Sequence, residues 1–456
     1  MKQVIIAILI LFLSCNSMSF AEEASEDGLD VSDNKVQVKR KKGEKDIIFF
    51  ALTKTNYAAD KEKIEIISTN ILQETATLIQ KKQNVLPVLQ NKLERFEIPT
   101  YIQNFEEMRG RGIDYIVTGV INQSATRNGM MYHYQFFIWD IYEKQNILAE
   151  EVFLSEEDLS TFPVKFASRI YEFITGEYSF FSGQLLYTVT EREGVAPFKR
   201  VVLSKKENGF IDATIFTNGK HITFNPRICK NEIMYSIQTK EEGMNIIILN
   251  RLTRDTQTIK FPTKGKQSLF SPNFSSDCKK IVFSKIEATG TSIFLFERHQ
   301  REIMQLTRVK NVINTSAVFS PSNDKIFFVS DRTGRPKIWE MGEDGGNQKQ
   351  LTFSEGQHFA PHVSGDGRYI AFVSINAGKF HLQVFDFKSK KESTIYSAFL
   401  IEDPTWTPTG KTIVFSMKKH ANDKSRIYTI SANGGEPEEL EALKGFLNEP
   451  RWISEL

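Results

Sequence analysis

Three things are scarce in this sequence: cysteine, net charge and apolar runs long enough to cross a bilayer. Three cysteines in 456 residues are too few for a disulfide framework, and no Cys/His cluster has metal-ligand spacing. Cys229 and Cys278 fall near turns of neighbouring repeats, where a Cα separation beyond the bridging limit of about 7 Å is expected. They read as two unpaired small side chains. Lys+Arg 58 against Asp+Glu 56 leaves a net charge of +2, which excludes a surface built to neutralise a nucleic-acid backbone. No G-x-S-x-G nucleophile elbow occurs, and the seven histidines do not pair with Ser and Asp in a recognisable context. The sequence assigns no catalytic residue, cofactor or metal.

What is present begins with Lys2 and the apolar run Val4 to Leu13, which is too short to span. Small residues follow, and Ser19 and Ala21 stand at the positions read by signal peptidase. A signal peptide over 1–21 and an exported chain beginning at Glu22 are expected. The rival is a lipoprotein signal at Leu13-Ser14-Cys15, which would acylate Cys15 and anchor the protein to a membrane. Residues 22–45 are polar throughout and end in KVQVKRKKGEK, a leader that cannot bury enough apolar surface to order itself.

From Asp46 the pattern turns globular. Ile47 to Leu52 reads as a short strand, and the 3.6-residue period of Ile64, Ile67, Ile71, Leu72, Ala76 and Ile79 marks a helix. IDYIVTGVI (Ile113–Ile121) and MYHYQFFIWDIY, separated by Asn128-Gly129, read as a hairpin. A strand near Ile147 to Leu154 and a helix carrying Phe166, Ile170, Phe173 and Ile174 complete a small α/β domain over 46–180.

Beyond Gly183 the sequence repeats itself. Pro226, Pro272, Ala317, Pro361, Pro404 and Pro450 recur in similar contexts at steps of 43–46 residues, the length of one four-stranded propeller blade. Phe319 to Thr352 shows the full unit: a Ser-Pro turn, the buried strand KIFFVS, a turn at Asp331 to Pro336, the strand KIWEM, the turn Asp344-Gly345-Gly346 and an outer strand. The sixth unit stops after one strand, and QLLYTV and RVVLS after Gly183 look like its continuation. A six-bladed all-β propeller over 181–456, closed by N- and C-terminal strands, therefore follows the α/β domain, giving an α+β multidomain chain.

SDRTGRPKIW (Ser330–Trp339), DGGNQKQLT, AFLIEDPTWTPTG (Ala398–Gly410) and the ending Asn448-Glu449-Pro450-Arg451-Trp452 resemble the blade signatures of the TolB family. IDYIVTGVI and FASRIYEFITGE resemble its N-terminal domain, so the likeness covers nearly everything but the leader. The resemblance implies a monomeric, non-enzymatic periplasmic protein of the Tol-Pal system. Its propeller face would bind the peptidoglycan-associated lipoprotein Pal and its mature N-terminus would contact TolA, in support of outer-membrane integrity and constriction at division. Family Pal contacts lie just before the repeated proline, which here places Ser271, Thr315, Ser316, Phe359, Ala360, Glu402 and Asp403 on the partner surface. Ser316 and Ala317 depart from the family's acidic residue and proline, the loop Pro262 to Phe270 is longer and richer in lysine, and the basic leader is unlike the family's short N-terminus.

Two other classes compete. A secreted propeller binding a polysaccharide would use exposed aromatics, but Trp339, Trp406 and Trp452 fall at apolar blade positions that suit core packing. A propeller hydrolase or lyase would need a reactive centre. His358 and His362, four apart at a strand entry, do not converge on one metal.

Overall fold

The computed structural model describes residues 46–453 except 52–60, 81–84, 90–104, 127–128, 177–178, 182, 194–195, 208–209, 261–266 and 441–444. The expected signal peptide and leader, Asn128, most of the lysine-rich loop (Pro262–Lys266) and Ser454–Leu456 lie outside the described residues. The chain divides into two compact units that part between Ser182 and Gly183.

The first unit is one sheet with helices. Its strands β1 (Asp46–Phe50), β2 (Val85–Leu89), β3 (Tyr115–Thr126), β4 (Gly129–Asp140) and β5 (Gln145–Ser155) lie in the order β2-β1-β3-β4-β5. β1 runs parallel to β2 and β3, and β3, β4 and β5 form an antiparallel meander. The helices are α1 (Lys61–Gln80), the short α2 (Phe105–Gly110) and α3 (Phe162–Thr175). α1 and α3 pack together, and Ile64, Ile71, Leu72 and Ile79 of α1 share a core with Phe162, Phe166 and Ile170 of α3 and with Tyr132, Tyr134 and Phe136 of β4. Each such side chain contributes about 1.5–3 kcal/mol when fully buried. Gly176, at φ 69°, ends α3 in the left-handed conformation that glycine adopts without strain. Sequence reasoning missed β2. Its central Pro87 argues against a strand, yet β2 is an edge strand, where a missing N–H is tolerated.

The second unit is all β. β6 (Gly183–Glu193), β7 (Ala196–Glu207) and β8 (Phe210–Ile215) form a sheet with the last strand of the chain. Then come β9 (Ile222–Cys229), β10 (Glu232–Thr239), β11 (Gly243–Asn250) and β12 (Thr256–Thr258), followed by β13 (Gln267–Phe274), β14 (Lys280–Glu287), β15 (Gly290–Glu297) and β16 (Glu302–Gln305). A short parallel pairing of β11 with β13 joins these two groups into one eight-stranded sheet. Three four-stranded antiparallel sheets follow. They are β17 (Asn314–Phe319), β18 (Lys325–Ser330), β19 (Lys337–Gly342) and β20 (Lys349–Gln350); β21 (Gln357–Val363), β22 (Tyr369–Asn376), β23 (Lys379–Asp386) and β24 (Lys391–Ala398); and β25 (Leu400–Trp406), β26 (Thr412–Lys418), β27 (Arg426–Ser431) and β28 (Glu438–Glu439). The final strand, β29 (Phe446–Ile453), pairs antiparallel with β6. The first strand of each group packs on the first strand of the next, from β9 through β13, β17, β21 and β25 to β29, and β29 packs on β9.

Aromatic side chains fill the space between sheets. Phe283, Phe328, Phe372 and Phe415, one from each of four second strands, are fully buried, which explains the abundance of phenylalanine in strands covered on both faces. Trp406 and Trp452 are buried and Trp339 packs against a core, as their apolar positions predict.

The cysteines overturn the expectation of free thiols. Cys229 and Cys278 form a disulfide across 49 residues, with Cα atoms 6.0 Å apart, within the bridging range. Cys229 ends β9 and Cys278 lies in the turn after β13. These are first strands of adjacent groups and pack directly on each other, so their ends stay close where outer turns would diverge.

Candidate functional site

The repeated proline marks a β-bulge. In every first strand the residue before it has positive φ: Asn225 (51°), Ser271 (49°), Ser316 (54°), Ala360 (50°), Asp403 (51°) and Glu449 (57°). The ladder to the second strand slips at the same place in each group, for example between Phe270 and Asn273 and between Glu402 and Thr405. A left-handed residue followed by proline kinks the strand and re-aims the neighbouring side chains. The third group keeps this bulge with Ala317 in place of proline.

Of the residues expected at a partner surface, Ser271, Ser316, Ala360 and Asp403 occupy the bulge itself, and Thr315, Phe359 and Glu402 are the last paired residues before it. All seven are half-buried. Links run between groups: Ser271 Oγ donates to Asn225 Oδ1 (3.3 Å), Ser284 Oγ to Thr315 Oγ1 (3.4 Å) and Asn448 Nδ2 to Glu402 Oε2 (3.0 Å). Phe359 packs against the core shared by β18 and β22, so part of its surface serves the fold.

Charge concentrates on one part of this series. Glu402 and Asp403 on β25 lie near Glu449 and Arg451 on β29, Arg227 on β9 and Lys199 on β7, whereas the equivalent bulge residues Ser271, Ser316 and Ala360 are uncharged. Burial first, then the neighbouring Asp403 carboxylate, pushes Glu402 up to about 7. Asp403 is raised by burial and by Glu449, against the pull of Arg451, Arg227 and Lys199. Glu449 is fully buried and anchored: Lys199 Nζ (3.0 Å), Thr188 Oγ1 (3.1 Å) and the Asn225 backbone N–H (3.0 Å) donate to its carboxylate. Sequence reasoning missed Lys199, Arg227, Glu449 and Arg451. Arg227 and Arg451 each follow the repeated proline, a shared register that was the available signal.

A raised carboxyl favours the folded state most when protonated, so this contribution is complete below about pH 4.5 and is lost as pH rises through about 7. The Glu402→Gln variant removes the titration. It is expected to melt close to the parent at pH 5 and above it at pH 8. A gap that stays constant or reverses between those pH values would contradict the assignment.

The two histidines go to separate places. His358 is fully buried, held down to about 4 mainly by burial, and its Nδ1 lies 2.8 Å from Thr352 Oγ1. His362 lies beside Thr405 and Trp406, far below its usual pKa through burial and the nearby guanidiniums. Among the described residues no group of three or more His, Cys, Asp or Glu is placed to hold a metal ion. Ser354, His358 and Glu392 do meet, with Ser354 Oγ 3.3 Å from His358 Nε2, but Glu392 accepts from the serine and does not orient the histidine. That geometry lacks the base-to-carboxylate link of a Ser-His-Asp triad, since the other nitrogen of His358 meets Thr352. Among the described residues no helix is long and apolar enough to cross a membrane.

The description of the TolB beta propeller domain matches residues 171–456. The Tol-Pal system protein TolB of Wolinella succinogenes is 28% identical over 178 residues, 38% of this chain and 41% of that protein. A protein TolB homolog of Chlorobaculum tepidum is 31% identical over 110 residues, 24% of this chain and 25% of that protein. The matches thus span less than half the length of these relatives. The crystal structure of TolB from Acinetobacter baumannii aligns with a TM-score of 0.68 at 19% identity, covering 90% of this chain and 97% of that one, a likeness of fold. The domain match takes in more than half of the chain and every bulge-bearing strand, and the chain belongs to the TolB β-propeller family.

Proposed function

We propose that this protein is a non-enzymatic, periplasmic component of the Tol-Pal envelope system that binds a Pal-like lipoprotein through the bulge-bearing face of its propeller. The supporting observation is the domain match over 171–456, together with six successive bulges that set Thr315, Phe359, Glu402, Asp403 and their neighbours at one register of the first strands. In this reading the first strands ring a central channel, and the β29–β6 pairing closes six blades between residues 181 and 456. An α/β domain over 46–180 precedes them, with cleavage after Ala21 and a leader over 22–45 that supplies the TolA contact. Capture of Pal by this face supports outer-membrane integrity and constriction at division. A preformed concave surface lets a partner loop bind with little ordering cost.

The test is capture of the soluble domain of a Pal-like lipoprotein by the exported protein. Reversing the charge of Glu402 and Asp403 together with Phe359→Ala is expected to weaken binding by about 2 kcal/mol or more if these are central contacts. Circular dichroism must show the triple variant folded. Wild-type capture by the folded variant would move the partner surface elsewhere.

A further inference from the structure

Two half-buried arginines of the propeller are matched by partners. Arg298 pairs with Glu232 at 2.8 Å, and Arg332 donates to Ser330, Gln348 and Asn314. Arg227 and Arg451 break that pattern. Each donates one Nη1 to the carbonyl of its own preceding proline (2.9 and 2.6 Å), and Arg451 Nη1 also reaches the Asp403 carbonyl at 3.4 Å. Among the described residues, neither guanidinium forms a salt bridge, and the Nε of each is buried without a hydrogen-bond partner. Arg451 is 8% exposed. Their strands β9 and β29 pack together, and the Arg451 charge, after burial, helps bring Arg227 down to about 9.

The Asp403 and Glu449 carboxylates attract both guanidiniums, but among the described residues neither guanidinium forms an ion pair with them. Glu449 is taken by Lys199, Thr188 and the Asn225 N–H, and Glu402 accepts from Asn448. His362 is not a ligand, because with Nδ1 accepting from the Trp406 N–H its other nitrogen faces Thr405. Two adjacent guanidiniums without an ion pair repel each other, and a planar carboxylate is the group whose two oxygens match paired guanidinium forks.

We propose that Arg227 and Arg451 form a carboxylate-binding site, occupied by an acidic side chain that the protein partner inserts beside the bulges. The inference of a partner rests on the function proposed above; the carboxylate site does not. The experiment titrates the exported protein with sodium acetate against sodium chloride at equal ionic strength, following the arginine Nε–Hε resonances by NMR. The expected result is saturable shifts of the Arg227 and Arg451 signals with acetate alone, weakened at least tenfold in Arg227→Lys and in Arg451→Lys, which keep the charge and lose the fork. Equal shifts with chloride, or no saturation, would overturn the site. A Pal-like domain should then compete with acetate. Acetate binding that such a domain does not displace would keep the carboxylate site and overturn the partner as its source.

Discussion

Replacing Glu449 by alanine is expected to destabilise the propeller by about 3–5 kcal/mol, the usual loss when one member of a buried ion pair is removed. Glu449 is fully buried and the side chain of Lys199 is only 12% exposed. The carboxylate ties β29 to β6 through Thr188, to β7 through Lys199 and to β9 through the Asn225 N–H. Alanine takes away the carboxylate paired with the Lys199 ammonium and the acceptor of the Asn225 N–H, while Thr188 Oγ1 keeps the Asn448 carbonyl. Glu449→Gln keeps an acceptor and should lose less. Urea unfolding followed by circular dichroism measures both, and a loss below about 1 kcal/mol for the alanine variant would mean that the ion pair is as weak as a surface pair.

Removing the Cys229–Cys278 disulfide is the second large effect. The bridge closes a loop across 49 residues, and the chain-entropy relation gives about 4 kcal/mol for a loop of that size. The Cys229→Ser/Cys278→Ser variant should therefore unfold at markedly lower urea, and the parent should fall to the same midpoint in reductant. Agreement between those two conditions is the check. A reduced parent as stable as the oxidised one would show that the packing of β9 on β13 suffices alone.

Much of the fold was legible because it repeats. Six contexts around Pro226, Pro272, Ala317, Pro361, Pro404 and Pro450 at near-constant steps reveal a unit without any knowledge of contacts, and the apolar period of α1 is equally local. What escaped is set by distance in space. The disulfide depends on how closely first strands approach, and the Arg227–Arg451 juxtaposition joins residues from opposite ends of the propeller sequence. The bulge was hidden by its own marker, since proline announces a turn as readily as a kinked strand. The residues expected at a partner surface were chosen by position alone; their register at the bulges was legible, while the charges that surround Glu402 and Asp403 were not.

The pairing of β29 with β6 also sets an order of events. The residues that complete the first sheet of the propeller are synthesised after all its other described strands. Until Phe446–Ile453 arrive, β6 has an uncovered edge, a template for wrong partners. Joining strands so far apart in sequence makes this a slow, non-local step. The new chain is therefore most in need of a chaperone during the interval before β29 docks on β6.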